Sequence, residues 1–248
     1  GSAVIRGLAR TGTHTITACD LDDDALADVE PLVDRTTKDL DVASDASVVI
    51  LSVKPQNVSP VLKELEMNPE QTLLSFAAAV PTDFIEKWMD TNVVRGMPNL
   101  AVETGSMACG VTGNVGDDAR RILDDLGKWV EIDEAHMDIS TALNGSGPAF
   151  IFYLIGMFAA AGVERGIDEA DAALLTAQTF KGAAEIVLQS DEEIEDLIDA
   201  VTSEGGTTIE GMGVLWDSDV DEVFEETIRV TEERSVEISE EFEDGRDF

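Results

Sequence analysis

The chain is poor in lysine, cysteine, histidine and aromatic residues, and each shortage removes a class of function. Cys19 and Cys109 stand far apart with no CxxC spacing, which excludes a disulfide framework and a structural zinc site. His14 and His136 are isolated, so no metal is expected. Lys and Arg number 16 against 52 Asp and Glu, for a net charge of −36. A field of that sign repels nucleic acid and anionic membrane surfaces, and neither is expected as a partner. The acid is spread along the chain rather than gathered in a tail. It reads as a solvated acidic surface over an ordinary core, as halophile proteins use to stay soluble in concentrated salt. Reduced cysteines and no visible signal peptide fit a cytoplasmic setting.

Long apolar runs are scarce, with one exception. Gly145 to Val163, GSGPAFIFYLIGMFAAAGV, carries no charge and approaches the ~20 residues that span a bilayer. It opens with Gly-Ser-Gly-Pro and lacks flanking Lys/Arg clusters. We therefore read it as a helix buried on all sides, in a core or a subunit interface.

What is present falls into two halves. In the first, β-branched runs at 14–20, 46–54, 72–79, 92–98 and 106–113 read as strands. Helical spacing fills 22–32, 57–66 and 82–89, with prolines near the edges. That alternation implies a parallel sheet covered by helices, and VVILSV at 48–53, apolar on both faces, reads as a central strand. From about Asp133 the strand signals stop, and helices are expected near 134–143, 148–165, 168–189, 191–201, 206–217 and 219–242. The fold class is thus an α/β Rossmann-like domain, residues 1–132, followed by an all-α domain, residues 133–248.

The opening GSAVIRGL looks like a helix already under way. In a dinucleotide-binding fold a strand and a G-x-G-x-x-G loop precede that helix, and Gly1 would be the last glycine of the loop. The first strand is then absent from this sequence, which is expected to leave two strand edges unpaired. Asp20 ends the second strand of such a fold, where an acid contacts a ribose 2′-OH and disfavours a 2′-phosphate. Lys54 is a cation at the carboxyl edge of a buried strand, where ligands bind. In VTSEGGTTIEG, 201–211, two adjacent glycines and four hydroxyl side chains interrupt an acidic helical region. By themselves these residues fit an interhelical turn with Ser/Thr caps as well as an anion site.

Five segments in order resemble the pyrroline-5-carboxylate reductase family: GSAVIRGL (1–8), VILSVKPQ (49–56), MPNLA (97–101), ALNGSGPAFIF (142–152) and VTSEGGTTIEG (201–211). The resemblance implies reduction of 1-pyrroline-5-carboxylate to L-proline with NADPH or NADH, by a homodimer or an assembly of dimers. It implies that Thr208 faces the imine nitrogen, and that Val201, Ser203, Gly205, Gly206 and Thr207 complete the substrate loop. Gly1, Asp20, Ser52, Val53, Lys54, Pro55 and Asn99 are implied in cofactor binding, with NADH favoured by Asp20. Glu204 departs from the family's proline, and Leu100-Ala101 from its Thr-Pro. The competing readings are another imine or hydroxyacid reductase of the same two-domain class, with Lys181 as its catalyst, or an inactive dimer lacking its phosphate loop.

Overall fold

The computed structural model describes residues 1–243 and divides into two compact units, residues 1–148 with those from 228 onward, and residues 149–227. In the first unit the elements are α1 (Ser2–Ala9), β1 (Thr17–Cys19), α2 (Asp23–Val29), β2 (Arg35–Thr37), β3 (Val48–Leu51), α3 (Pro55–Glu64), β4 (Thr72–Ser75) and α4 (Thr82–Glu86). They are followed by β5 (Asn92–Met97), β6 (Met107–Gly113), α5 (Asp117–Leu126), β7 (Gly127–Glu131) and α6 (Met137–Ser140).

The strands form two sheets. β1 and β2 pair in parallel, and a second sheet runs β3-β4-β5-β6-β7. β3 therefore stands at an edge, with Val48 to Ile50 half-buried, and not at the centre as its two-sided apolar pattern suggested. β1 and β3 each keep one unpaired edge among the described residues. A second correction concerns direction: β6 runs antiparallel to β5, while the other pairs are parallel. Only a short 3-10 segment, Leu100–Thr104, joins β5 to β6. A parallel crossover needs a dozen or more residues, so the chain must turn back on itself there.

Two apolar clusters cover the faces of the larger sheet. Val4 and Leu8 of α1 pack with Leu74, Val94, Val111, Leu123 and Leu126 on one side. Val58 and Leu62 of α3 pack with Leu73, Val80, Ile85 and Val93 on the other. Each such side chain contributes roughly 1.5–3 kcal/mol when fully buried. Gly7 allows α1 to come close, because a Cβ there would lie 2.5 Å from the Val102 carbonyl oxygen and 2.8 Å from Leu126. α5 and β7 were not among the sequence expectations, although Ala119, Ile122, Leu123 and Leu126 recur at helical spacing and are all buried.

The second unit holds most of α7 (Gly147–Val163), then α8 (Glu169–Gln189), α9 (Ile194–Val201) and α10 (Thr207–Trp216). α11 (Val220–Glu243) begins there and ends in the first unit. In that first unit the Ser235 hydroxyl donates to Asp138 Oδ1 at 2.6 Å, fastening α11 to α6. The helical unit has almost no core of its own. Ala172 is its single buried side chain among the described residues, and Phe152, Tyr153, Phe158, Leu174, Leu188 and Trp216 are all more than half exposed. The continuous helical stretch Glu134–Val163 is long and apolar enough to cross a membrane by length and composition.

Candidate functional site

The helix that opens the chain sets the first part of the site. Gly1 is the N-cap of α1 and has no side chain to satisfy the free N–H groups of the first turn. Its nitrogen lies 3.4 Å from the carbonyl oxygen of Ser52, immediately after β3. Burial lowers the pKa of the Gly1 amine and the charge of Asp20 acts in the opposite sense, so Asp20 is close enough to be felt at this helix start. Gly1, Asp20 and Ser52 thus come together at the carboxyl edge of β1 and β3.

The Ser52–Pro55 segment divides its labour. Val53 packs against the α3 side of the core, whereas Lys54 is exposed and caps α3, with Pro55 in its first turn. A cation at the positive end of a helix is unfavourable by itself, and Lys54 has no ion-pair partner among the described residues. An unbalanced cation beside helix N–H groups is suited to an anionic ligand. These groups fit a dinucleotide, whose pyrophosphate needs backbone donors and room: a Cβ on Gly1 would meet nothing closer than Ser52 O at 3.9 Å.

Asn99 also holds its own loop in shape. Its Oδ1 accepts from the backbone of Ala101 at 3.2 Å and of Ala108 at 3.4 Å, so this atom caps the turn between β5 and β6. Asn144 completes the bracket. Its Nδ2 donates to the carbonyls of Met97, 2.7 Å, and Ala108, 3.0 Å, and its Oδ1 accepts from the Ser140 hydroxyl at 2.7 Å. It lies in a single π-helical turn, Thr141–Gly145, a distortion frequent at functional sites. The motif residue Asn144 therefore fixes the carboxyl end of β5 to the helix that leads into α7.

Sequence reasoning missed Arg95, which is 4% exposed on β5. Its Nη1 donates to Glu134, whose carboxylate also accepts from the backbone and hydroxyl of Thr82 at 3.4 and 3.1 Å. Arg95 Nη2 is buried with no partner among the described residues. In the neighbouring loop Ala79 is buried with φ 58°, a left-handed conformation that costs a residue with a Cβ about 1–2 kcal/mol. No local pattern announces either feature.

In the helical unit, the 201–211 segment forms a turn followed by a helix start. Gly206 N–H donates to Ser203 O at 2.9 Å, closing a β-turn over Glu204 and Gly205. Gly205 has φ 70°, which explains the glycine, and Gly206 is tight against Ser203, since a Cβ would lie 2.5 Å from its Oγ. Thr207 and Thr208 are the first residues of α10, whose N-cap Gly206 again offers no side-chain cap. Val201, Ser203, Thr207, Thr208 and Glu204 are exposed. Glu204 occupies the second position of the turn, where proline is favoured, so the departure is accommodated by backbone geometry. Lys181 is exposed on α8.

The remaining reactive groups have structural surroundings. Burial pushes the Cys109 thiol up to about 12, which removes it as a nucleophile. Among the described residues no three His, Cys, Asp or Glu side chains could hold a metal ion. A hollow of about 500 Å³ beside β6 and β7, lined by Thr112, Glu131, Asp133 and His136, contains none of the residues above.

Comparison with known proteins bears on this arrangement. Residues 134–238 match the family model described as pyrroline-5-carboxylate reductase dimerisation, and residues 1–79 the one described as NADP oxidoreductase coenzyme F420-dependent. Pyrroline-5-carboxylate reductase of Methanosarcina acetivorans is 35% identical over 253 residues, covering 96% of this chain and 94% of its own. Pyrroline-5-carboxylate reductase 1 of Bacillus subtilis is 35% identical, covering 80% and 70%. The solved structure of the Coxiella burnetii pyrroline-5-carboxylate reductase superposes with a TM-score of 0.86 at 30% identity, covering 96% and 94%. The Plasmodium falciparum pyrroline carboxylate reductase, solved with NADP bound, shares the fold with a TM-score of 0.81 at 24% identity.

Proposed function

This chain belongs to the pyrroline-5-carboxylate reductase family, and from that premise we propose roles for its individual residues. The reaction itself is the reduction of 1-pyrroline-5-carboxylate to L-proline with NADH or NADPH, the last step of proline biosynthesis. When bound, the nicotinamide supplies the hydride to the imine carbon. The protein must then hold the ring, bind its carboxylate and provide a donor at the imine nitrogen.

The observation that carries the assignment is the Ser203–Gly206 turn leading directly into the uncapped start of α10. Free N–H groups, the helix dipole and the hydroxyls of Ser203 and Thr207 converge on an anion-binding corner, suited to the substrate carboxylate. Val201 and Gly205 shape its backbone. Thr208 Oγ1 donates its hydrogen bond to the imine nitrogen and passes the proton that makes the product amine. Gly1, Asp20, Ser52, Val53, Lys54, Pro55 and Asn99 hold the dinucleotide, and Asn99 also keeps the β5–β6 turn in shape.

Residues 1–132 act as the dinucleotide-binding domain and residues 133–248 as the substrate and dimerisation domain. The chain is a homo-oligomer acting on a small molecule, in keeping with the matched dimerisation family. A second copy covers the apolar α7, with Gly156, Ala159, Ala160, Ala161 and Gly162 allowing close approach, so this helix needs no lipid. Thr208 of one subunit then serves the dinucleotide domain of its partner. The acidic surface suits a cytoplasm of concentrated salt and offers nucleic acid no purchase.

The test is Thr208→Val, which removes the hydroxyl and keeps the shape. Turnover should fall by about a hundredfold, in the range typical of lost acid–base assistance, while the dissociation constant for the dinucleotide stays within twofold. Unchanged turnover would remove Thr208 from the mechanism.

A further inference from the structure

The antiparallel ladder between β5 and β6 ends in a gap that side chains close. Its last main-chain pair is Met97 with Gly110, and the same register would next set Asn99 opposite Ala108. Pro98 lies between, has no N–H to donate and stops the ladder. Asn99 Oδ1 instead accepts from the N–H of Ala108 at 3.4 Å. Asn144 Nδ2 donates to the carbonyls of Ala108, 3.0 Å, and Met97, 2.7 Å. One amide from another element thus spans the point at which the two strands part.

That amide has no freedom left. Both of its N–H donors are used on the two carbonyls, and its oxygen accepts from the Ser140 hydroxyl at 2.7 Å. Two facing carbonyl oxygens admit only the NH2 end, so the partners fix its orientation. Ser140 is buried one helical turn before Asn144, and Gly110 admits it, since a Cβ there would lie 2.3 Å from Ser140 Oγ. The π-helical turn that carries Asn144 is closed by the Ser146 N–H on Thr141 O at 2.8 Å.

The order of the strands says what rests on this gap. Asp20 follows β1, Gly1 opens α1 and Ser52 follows β3, with Gly1 N 3.4 Å from Ser52 O. A dinucleotide laid from Asp20 past Gly1 and Ser52 continues over the carboxyl ends of β4 and β5, the next strands of the sheet. Its nicotinamide end then meets the loop after Met97. We propose that Asn144 is a positioning residue for hydride transfer, holding the Met97–Asn99 loop where the nicotinamide faces the imine carbon. This rests on the placement of the dinucleotide above and adds to it a residue that had no role there.

Three variants of the full chain grade the contact. Asn144→Ser keeps one donor, Asn144→Ala keeps none, and Asn144→Asp keeps the shape but turns a carboxylate oxygen toward the two carbonyls. In Asn144→Ala and Asn144→Asp kcat should fall by about ten- to a hundredfold, because a displacement of about 1 Å costs up to about a hundredfold. Asn144→Ser should lose less, and it carries the same comparison should Asn144→Ala not fold. The Kd of NADH or NADPH should stay within about threefold, and the isotope effect on kcat, with the cofactor deuterated at the transferred position, should be at least as large as in the native chain. Fluorescence emission of the bound reduced nicotinamide should change at unchanged affinity, a signature that general loss of stability would not leave. A kcat within about twofold of native in both severe variants, an equal fall in kcat and dinucleotide affinity, or a smaller isotope effect overturns the proposal. A native chain that binds nucleotide but does not oxidise it with pyrroline-5-carboxylate refutes the catalytic reading instead. In that case altered emission in Asn144→Ala at unchanged affinity supports the role of Asn144, and unaltered emission overturns it.

Discussion

Removing the partner of a buried arginine should be among the most damaging single changes in the first compact unit. Arg95 is almost completely enclosed, its side chain 5% exposed, while the Glu134 side chain that balances it retains 35% exposure. Breaking a buried pair from one side costs about 3–5 kcal/mol, because the remaining charge is stranded. Water reaching the Glu134 side lowers that figure, so Glu134→Ala should destabilise by about 2–3 kcal/mol. For a chain of this size that corresponds to a fall in Tm of about 4–12 °C. Thr82 loses its acceptor at the start of α4 in the same variant. The double variant Arg95→Met/Glu134→Ala should recover most of the loss, since an apolar side chain of similar length leaves no charge behind. Thermal unfolding by circular dichroism, at one protein concentration and one salt concentration, measures all three forms. A loss below about 0.5 kcal/mol for Glu134→Ala, the value of a surface pair, would show that Arg95 does not depend on this carboxylate. A double variant no more stable than the single would refute the stranded-charge argument.

Glu204→Pro should stabilise the protein by about 0.4–1 kcal/mol, because proline suits the second position of the Ser203–Gly206 turn. It should also lower KM for the anionic substrate, and Glu204→Gln separates charge from stiffness: an unchanged KM there assigns the effect to the backbone. Asp125 gives a pH dependence of definite sign. Burial raises its pKa, but hydrogen bonds from Thr13, His14 and Thr11 and the His14 charge outweigh this and leave it below 3.8. Its stabilising contribution is then complete above 3.8 and is lost as the pH falls through the lower folded value. The stability gap between the native chain and Asp125→Asn should close on acidification through that window, and a gap constant from neutral pH down to about pH 2, below the range of ordinary carboxylates, would contradict the assignment. Finally, with a net charge of −36, Tm should rise between dilute buffer and molar salt, and a flat response would refute the reading of the surface as salt-adapted.

Most strands and helices were legible because their patterns are local. The helices expected from 148 to 242 match α7 to α11 to within a few residues, since apolar spacing and glycine or proline breaks are written in neighbouring residues. β2 and β7 were not legible: Arg-Thr-Thr is short and only partly buried, and Gly-Lys-Trp-Val-Glu mixes charge into an edge strand. The direction of β6 depended on the length of its connection rather than on its own residues. In the site, VTSEGGTTIEG could be recognised as a loop with a purpose, but why Glu204 is tolerated emerged only with the Ser203–Gly206 hydrogen bond. Arg95 and Glu134 lie 39 positions apart, and no periodicity joins residues at that separation.

The sparse interior of the helical unit also bears on how the oligomer comes into being. Ala172 is its one buried side chain among the described residues, and if a second chain supplies the packing, as proposed above, its folding should depend on chain concentration. Yet each arriving chain carries −36, and two such bodies repel one another before their apolar helices can touch. Encounter should therefore be slow in dilute buffer and quicken as salt shortens the reach of the repulsion, which stopped-flow light scattering against ionic strength would check. Ionic strength becomes a control on the rate of assembly, separate from its effect on the stability of the finished enzyme.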